Sequence, residues 1–257
     1  MALVTLLTDS GENEHYLAAI KARIFSINPG IKTIDISHRI PPCDIAHAAF
    51  VLRSVFRDFP QGTVHLVGVH AAGNRGDAYI ALQLDDHFFV GTDNGLFGLI
   101  SERTQQNLVE LNSISSVQTT FPERDIFAPA AVKLASGVSI NDLGKPMTIF
   151  KKMIDRQVKA TKKQISGHVI HVDAYGNLIT NIPQDAFDIV SKGKSYTVLF
   201  GGEKFRRLQS QYNQVDEGEC FILFNSLRLL EIGIYKGNAS ELLGLSYGSM
   251  VNITFDE

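Results

Sequence analysis

Short apolar runs alternate with helical periodicity through the first half of this chain, and that alternation limits the fold more than any other feature. Ala2–Leu7 is an apolar run of the kind that forms a strand buried on both faces. Leu17, Ile20, Ile24 and Ile27 then fall on one helical stripe, closed by Asn28-Pro29-Gly30. Lys32–Ile36 reads as the next strand. Asp44 is placed to cap a helix carrying Ile45, Ala48, Ala49, Leu52, Val55 and Phe56, which stops near Pro60. Thr63–Val69 is a third buried strand, and Ala78–Leu84 and His87–Val90 flank a hairpin turn at Asp85-Asp86. This β-α-β-α-β order predicts an α/β domain over residues 1–150, with a mostly parallel sheet and right-handed crossovers.

The pattern changes between Lys145 and Lys163, where seven Lys or Arg occur with little periodicity. Residues 151–164 are therefore expected to be a linker. Beyond it, Gly167–Val172, Leu178–Ile182, Tyr196–Phe200, Glu219–Phe224, Leu229–Ile234 and Met250–Phe255 are strand-like runs separated by Gly, Asn and Asp turns. Residues 165–257 are expected to form an all-β domain, barrel-like or a sandwich.

Composition removes several function classes. A net charge of -3 gives no long-range attraction to nucleic acid or to an anionic membrane. No apolar run approaches the ~20 residues that span a bilayer. Cys43 and Cys220 are the only cysteines, too few for a disulfide framework, and point to a reducing cytoplasm. The apolar N-terminus meets Asp9 too early for a signal peptide. Eight histidines show no metal-type spacing, and His65 and His70 fall on opposite faces of a regular strand. No metal or cofactor is expected.

The candidate binding residues cluster at strand ends and turns. Asp9, in Thr8-Asp9-Ser10-Gly11, follows the first strand, where open α/β sheets bind ligands; it either accepts hydrogen bonds from a ribose diol or caps the next helix. Glu14 and His15 open that helix. His38-Arg39-Ile40-Pro41-Pro42-Cys43-Asp44 reads as a tight strand-to-helix entry, and Asp93-Asn94-Gly95-Leu96 as a turn. Arg124-Asp125-Ile126-Phe127-Ala128-Pro129 introduces a small-residue helix ending at Gly137. Asp173-Ala174-Tyr175-Gly176-Asn177 offers a carboxylate, an aromatic face and an amide: an adenine-binding set, or equally a hairpin corner.

Taken in order, these motifs, together with Asn225-Ser226 and Gly237-Asn238-Ala239, resemble the S-adenosylmethionine hydroxide adenosyltransferases and their fluorinase and chlorinase relatives. The likeness runs from about Thr5 to the last strand. It implies an N-terminal α/β domain, a C-terminal barrel-like domain and a homotrimer whose sites lie between subunits. It further implies that Asp9 holds the ribose hydroxyls with Glu14 nearby, and that Tyr175 and Asn177 face the adenine. By the same resemblance Asn177, Ser226 and the Ala239 backbone read the adenine edge, and Asp173 meets the methionine amino group. Cys43 stands where relatives carry an aromatic residue.

The chemistry departs from the family pattern. Hydrolases of this family use an Asp, an Arg and a His to hold water in line with C5′. The Asp position is His70 here, and the loop from it to Arg75 is shorter. The family's Phe-His-Gly-Arg-Asp reads Phe121-Pro122-Glu123-Arg124-Asp125, so the histidine is lost to a proline and a carboxylate enters beside it. The resemblance therefore predicts a protein that binds S-adenosylmethionine or adenosine. Hydrolysis of S-adenosylmethionine to adenosine and methionine by water at C5′ is then expected to rest on a rearranged water-holding set of His70, Asn74, Arg75 and Glu123, and the rival reading is a non-catalytic nucleoside-binding module. Halogenation is disfavoured because Glu123 would repel a halide.

Overall fold

The structure, a computed structural model, describes residues 2–100, 107–111, 119–153 and 156–256. The chain divides into two compact units, Met1–Ile154 and Asp155–Glu257. Ile154 and Asp155, inside the expected linker, lie outside the described residues.

The first unit runs β1 (Leu3–Thr8), α1 (His15–Ile27), β2 (Lys32–Ser37), α2 (Ile45–Val55), β3 (Val64–Gly68), β4 (Tyr79–Leu84), β5 (His87–Thr92), α3 (Phe97–Ile100), β6 (Asn107–Glu110), α4 (Ala128–Ala135) and β7 (Lys145–Pro146). Its strands form one sheet in the order β2-β1-β3-β5-β4-β6-β7. Only the half around β1 is parallel: β1 pairs in parallel with β2 and β3, and β3 with β5. The β4–β5, β4–β6 and β6–β7 pairs are antiparallel. The expected mostly parallel sheet is thus a mixed one. The reason is local: Asp85 and Asp86, both at positive φ, make a two-residue hairpin turn that returns the chain beside itself, where a parallel pair would need a crossover.

Period-two alternation along β1 and β3 places Val4, Leu6, Val64 and Leu66 against α1 and α4, and Leu7 and Val67 against α2. Ile20 and Ile24 of α1 are fully buried, each contributing roughly 1.5–3 kcal/mol, while Ile27 of the expected stripe is exposed. Asp44 caps α2 by accepting from His47 N at 3.0 Å. Inside the sheet, His65 bonds Thr5 at 2.7 Å and His87 at 3.1 Å, with Phe56 and Phe89 packed around them. Burial, followed by the neighbouring His87, pushes His65 down to about 3, so it is a neutral core histidine.

The second unit contains β8 (Lys159–Ala160), β9 (Gln164–Val172), β10 (Leu178–Pro183), α5 (Gln184–Ser191), β11 (Tyr196–Phe200), β12 (Glu203–Phe205), β13 (Cys220–Phe224), β14 (Leu229–Ile234), α6 (Ala239–Leu243) and β15 (Met250–Phe255). Its sheet runs β12-β11-β15-β9-β10-β14-β13 and is antiparallel throughout, with β8 paired to β9. It is not all-β, because α5 and α6 interrupt it; Phe187 of α5 is buried against Tyr196 and Phe255. The ends of the Lys-rich segment are also structured. Pro146 pairs with Val109, and Lys159 pairs with Ser166.

Candidate functional site

In the first unit, chemistry-bearing groups gather where β1 and β3 end. Asp9 does not cap α1, whose N-cap is Glu14, exposed and without a capping bond. Asp9 Oδ2 instead accepts two backbone N–H groups, Cys43 N at 2.8 Å and His70 N at 2.9 Å. Both donors lie in the left-handed region, with φ of 62° at Cys43 and 46° at His70. Such backbone costs a non-glycine residue roughly 1–2 kcal/mol, which a charged acceptor shared by two amides offsets. The second oxygen of Asp9 has no partner among the described residues.

Glu123 opens a five-residue π-helical turn, Glu123–Phe127, that runs directly into α4. Its side chain is 8% exposed and lies against Gly68, where an added Cβ would meet Glu123 Cγ at 2.7 Å and Thr8 Cγ2 at 3.2 Å. Gly68 therefore lets the carboxyl reach the strand end. Burial, with Asp9 and Asp125 nearby, pushes Glu123 up to about 7 against the opposing effect of its backbone hydrogen bond. Burial, and then the Glu123 charge, also raises Tyr79 above its usual value. Arg124 forks onto Asp125, at 2.7 and 3.0 Å, and stacks over Phe121.

His70 is half-buried and starts a turn closed by Gly73 N onto its carbonyl at 2.9 Å. Asn94, read from sequence as a plain turn residue, donates to Val69 O at 2.9 Å and so fixes the end of β3. Asn74 is exposed, with its N–H on Asp77 Oδ2 at 2.9 Å. Arg75 is exposed and without a partner among the described residues. No hydrogen bond or ion pair joins Asn74 or Arg75 to Asp9, His70 or Glu123.

The second unit holds a cleft of about 730 Å³ lined by Asp173, Tyr175, Asn177, Tyr212, Phe221 and Tyr235 among others. Asp173 organises the β9–β10 turn. Its Oδ1 accepts Tyr175 N and Asn177 N, both at 2.9 Å, and its Oδ2 accepts Asn177 Nδ2 at 3.2 Å. Asn177 is buried, whereas the Tyr175 ring is 80% exposed and free to stack. Gly176 has φ of 80°, and a Cβ there would strike Asn238 Oδ1 at 2.0 Å, so the turn and α6 meet only through glycine. Ala239 is buried at the start of α6, next to the cleft residue Asn238, and Ser226 is exposed in the β13–β14 turn.

Two residues went unseen in the sequence. Tyr212 packs edge-on against Phe221 at 5.3 Å and forms a wall of the cleft; no sequence signal marks it. Glu231 is 3% exposed and accepts Asn225 Nδ2 at 2.9 Å, and burial raises it above the usual carboxylate value. A lone acid within Leu229-Leu230-Glu231-Ile232 was its available signal. Among the described residues, no three His, Cys, Asp or Glu side chains gather closely enough to hold a metal ion, and no helix is long and apolar enough to cross a membrane.

Residues 4–144 match the SAM hydroxide adenosyltransferase N-terminal domain, and residues 167–252 match the C-terminal domain of the same family. The chain is a member of the SAM hydroxide adenosyltransferase family. This family member is 31% identical to the (R)-S-adenosyl-L-methionine hydrolase of Methanocaldococcus jannaschii, over 98% of this chain and 96% of that protein. It is 30% identical to the enzyme of that name from Thermus thermophilus, over 98% and 100%. A fluorinase from an Actinoplanes species is 23% identical over 70% and 71%. A crystal structure of an uncharacterized conserved protein from Thermotoga maritima superposes with a TM-score of 0.89 at 30% identity, covering 98% of this chain and 99% of that one.

Proposed function

We propose that this adenosyltransferase-family chain binds S-adenosylmethionine and hydrolyses it to adenosine and methionine by attack of water at C5′. Hydrolase relatives of near-full length support the substrate. The observation that carries the chemistry is Glu123, a buried carboxyl pushed up to about 7 beside Asp9. A group with that pKa takes a proton from water near neutral pH. Its charge, added to that of Asp9, favours a cationic sulfonium and disfavours a halide. The leaving group departs as a neutral thioether, so in-line positioning supplies much of the barrier reduction.

In this reading the free oxygen of Asp9 takes the ribose hydroxyls, with Glu14 at the rim. Tyr175 and Tyr212 cover the adenine faces; Asn177, Ser226 and the Ala239 backbone read its edge, and Asp173 meets the methionine amino group. His70, Asn74 and Arg75 hold the water with Glu123. The division into residues 1–150, 151–164 and 165–257 belongs to the same proposal, as do a reducing cytoplasm and a trimer in which the first unit of one copy meets the second unit of the next. The non-catalytic alternative gains nothing from relatives named as hydrolases.

Incubation of the purified protein with S-adenosylmethionine, followed by chromatography, should yield adenosine and methionine. Finding neither while adenosine still binds by calorimetry would move the chain to the non-catalytic reading. A monomer in sedimentation at micromolar concentration would remove the shared-site assembly.

A further inference from the structure

Beside the strand-end site runs a chain of polar groups to which the proposed function gives no part. Ser10 Oγ donates to Thr8 Oγ1 at 3.0 Å. Thr8 Oγ1 is also bonded to His38 Nδ1 at 2.8 Å. His38 Nε2 lies 3.3 Å from Asp35 Oδ1, and that carboxylate favours the tautomer with the proton on Nε2, which leaves Nδ1 to accept from Thr8. That approach is close enough for an ion pair but off-line for a full hydrogen bond, leaving Nε2 an under-satisfied buried donor. Thr8 and His38 are buried at 0% and 3% exposure, while the Asp35 side chain is 38% exposed on the edge strand β2. The charged groups facing the far end are Asp35 itself and Lys21 of α1, whose Nζ bonds Asp35 Oδ2 at 2.7 Å.

We propose that Ser10, Thr8, His38 and Asp35 form a proton-release wire leading from the strand-end site to the β2 edge. The proposal rests on the hydrolase reading, because hydrolysis of a sulfonium makes a proton as a product. Water forms the new O–C5′ bond; the C5′–S bond breaks with its electron pair staying on sulfur; methionine leaves neutral and one proton remains. Glu123 takes that proton and has to lose it before the next turnover. The Thr8 methyl and Glu123 Cγ both lie against Gly68, so the wire passes beside the carboxyl, and water in the site carries the proton from Glu123 to Ser10. A proton arriving at the Ser10 hydroxyl displaces the serine proton to Thr8, and the Thr8 proton moves to His38 Nδ1. The imidazolium then sheds its Nε2 proton to Asp35 and bulk water. One proton enters and one leaves. Imidazole is the side chain suited to such a transfer near neutral pH.

His38→Asn keeps an acceptor for Thr8 but cannot pass a proton, and Ser10→Ala removes the entry. Each should slow adenosine formation about 10–100-fold, alter the pH profile and raise the solvent deuterium isotope effect, with adenosine affinity by calorimetry unchanged. Ser10→Thr, which restores the hydroxyl, should recover the rate. Should His38→Asn fail to fold, Ser10→Ala on the half-exposed loop decides the matter alone. Wild-type rate, pH profile and isotope effect in the variants overturn the wire and leave the hydrolase standing. Absence of adenosine in the wild-type reaction overturns both.

Discussion

The strand-end site of the first unit and the cleft of the second are built in opposite ways. At the ends of β1 and β3, two non-glycine residues sit at positive φ under one carboxylate, and a second carboxyl is buried against a glycine. In the cleft, Asp173 satisfies its turn with the turn's own N–H groups, and the aromatic faces stand open. The first arrangement stores strain and unsolvated charge, which a structure keeps where chemistry occurs. The second is self-satisfied and shaped in advance, which serves binding. Under the proposed function the first region carries the rate and the ribose contact, and the second carries the adenine contacts.

The hardest test of that division is Glu123→Gln. It should lower adenosine formation about 10²–10⁴-fold while leaving adenosine affinity in place. Wild-type turnover should rise with pH through about 7 as Glu123 ionises. Stability should move the other way. The folded protein holds this proton up to about 7 and the unfolded chain only to about 4.5, so stability is lost as pH rises between those values. The glutamine variant should therefore melt higher than wild type at pH 8, by up to roughly 3 kcal/mol, and lose that advantage near pH 4. Equal melting at both pH values would show that the carboxyl is not buried as a strained acid.

Asp9→Ala should come next. It strips the shared acceptor from Cys43 N and His70 N and should cost roughly 2–4 kcal/mol of stability, in addition to weakening nucleoside binding. A variant as stable as wild type would mean that the two left-handed residues hold themselves. On the other side of the comparison, Asn177→Ala should weaken adenosine by roughly 1–3 kcal/mol in calorimetry, with little change in the rate at saturating substrate. A loss of rate without loss of affinity would reverse the assignment of the cleft.

The smallest effect expected is that of His70→Gly. Glycine relieves the positive φ, so thermal stability should hold or rise by up to about 1 kcal/mol. Adenosine formation should fall if the imidazole orients water. An unchanged rate would leave His70 with a backbone role alone, through its N–H on Asp9.

Much of this molecule could be read from the chain because its causes are local. Val4, Leu6, Val64 and Leu66 needed only the two-residue period to be placed on one face of a sheet, and Asp44 needed only its neighbours to cap a helix. The Asp173–Asn177 motif was legible as a turn with binding groups for the same reason, since the bonds Asp173 makes within it span four positions or fewer. Family resemblance, carried by ordered motifs, supplied the substrate class and marked Pro122 and Glu123 as departures. What the sequence could not decide was anything that depends on groups far apart in the chain. The pKa of Glu123 is set by its burial and by Asp9, more than a hundred positions away, and the role of Asp9 by amides at Cys43 and His70. The β4–β6 and β6–β7 pairings, the Tyr212 wall and the path from Ser10 to Asp35 likewise exist only once packing has fixed the neighbours. Desolvation and through-space contact are properties of the folded state, and only the fold decides them.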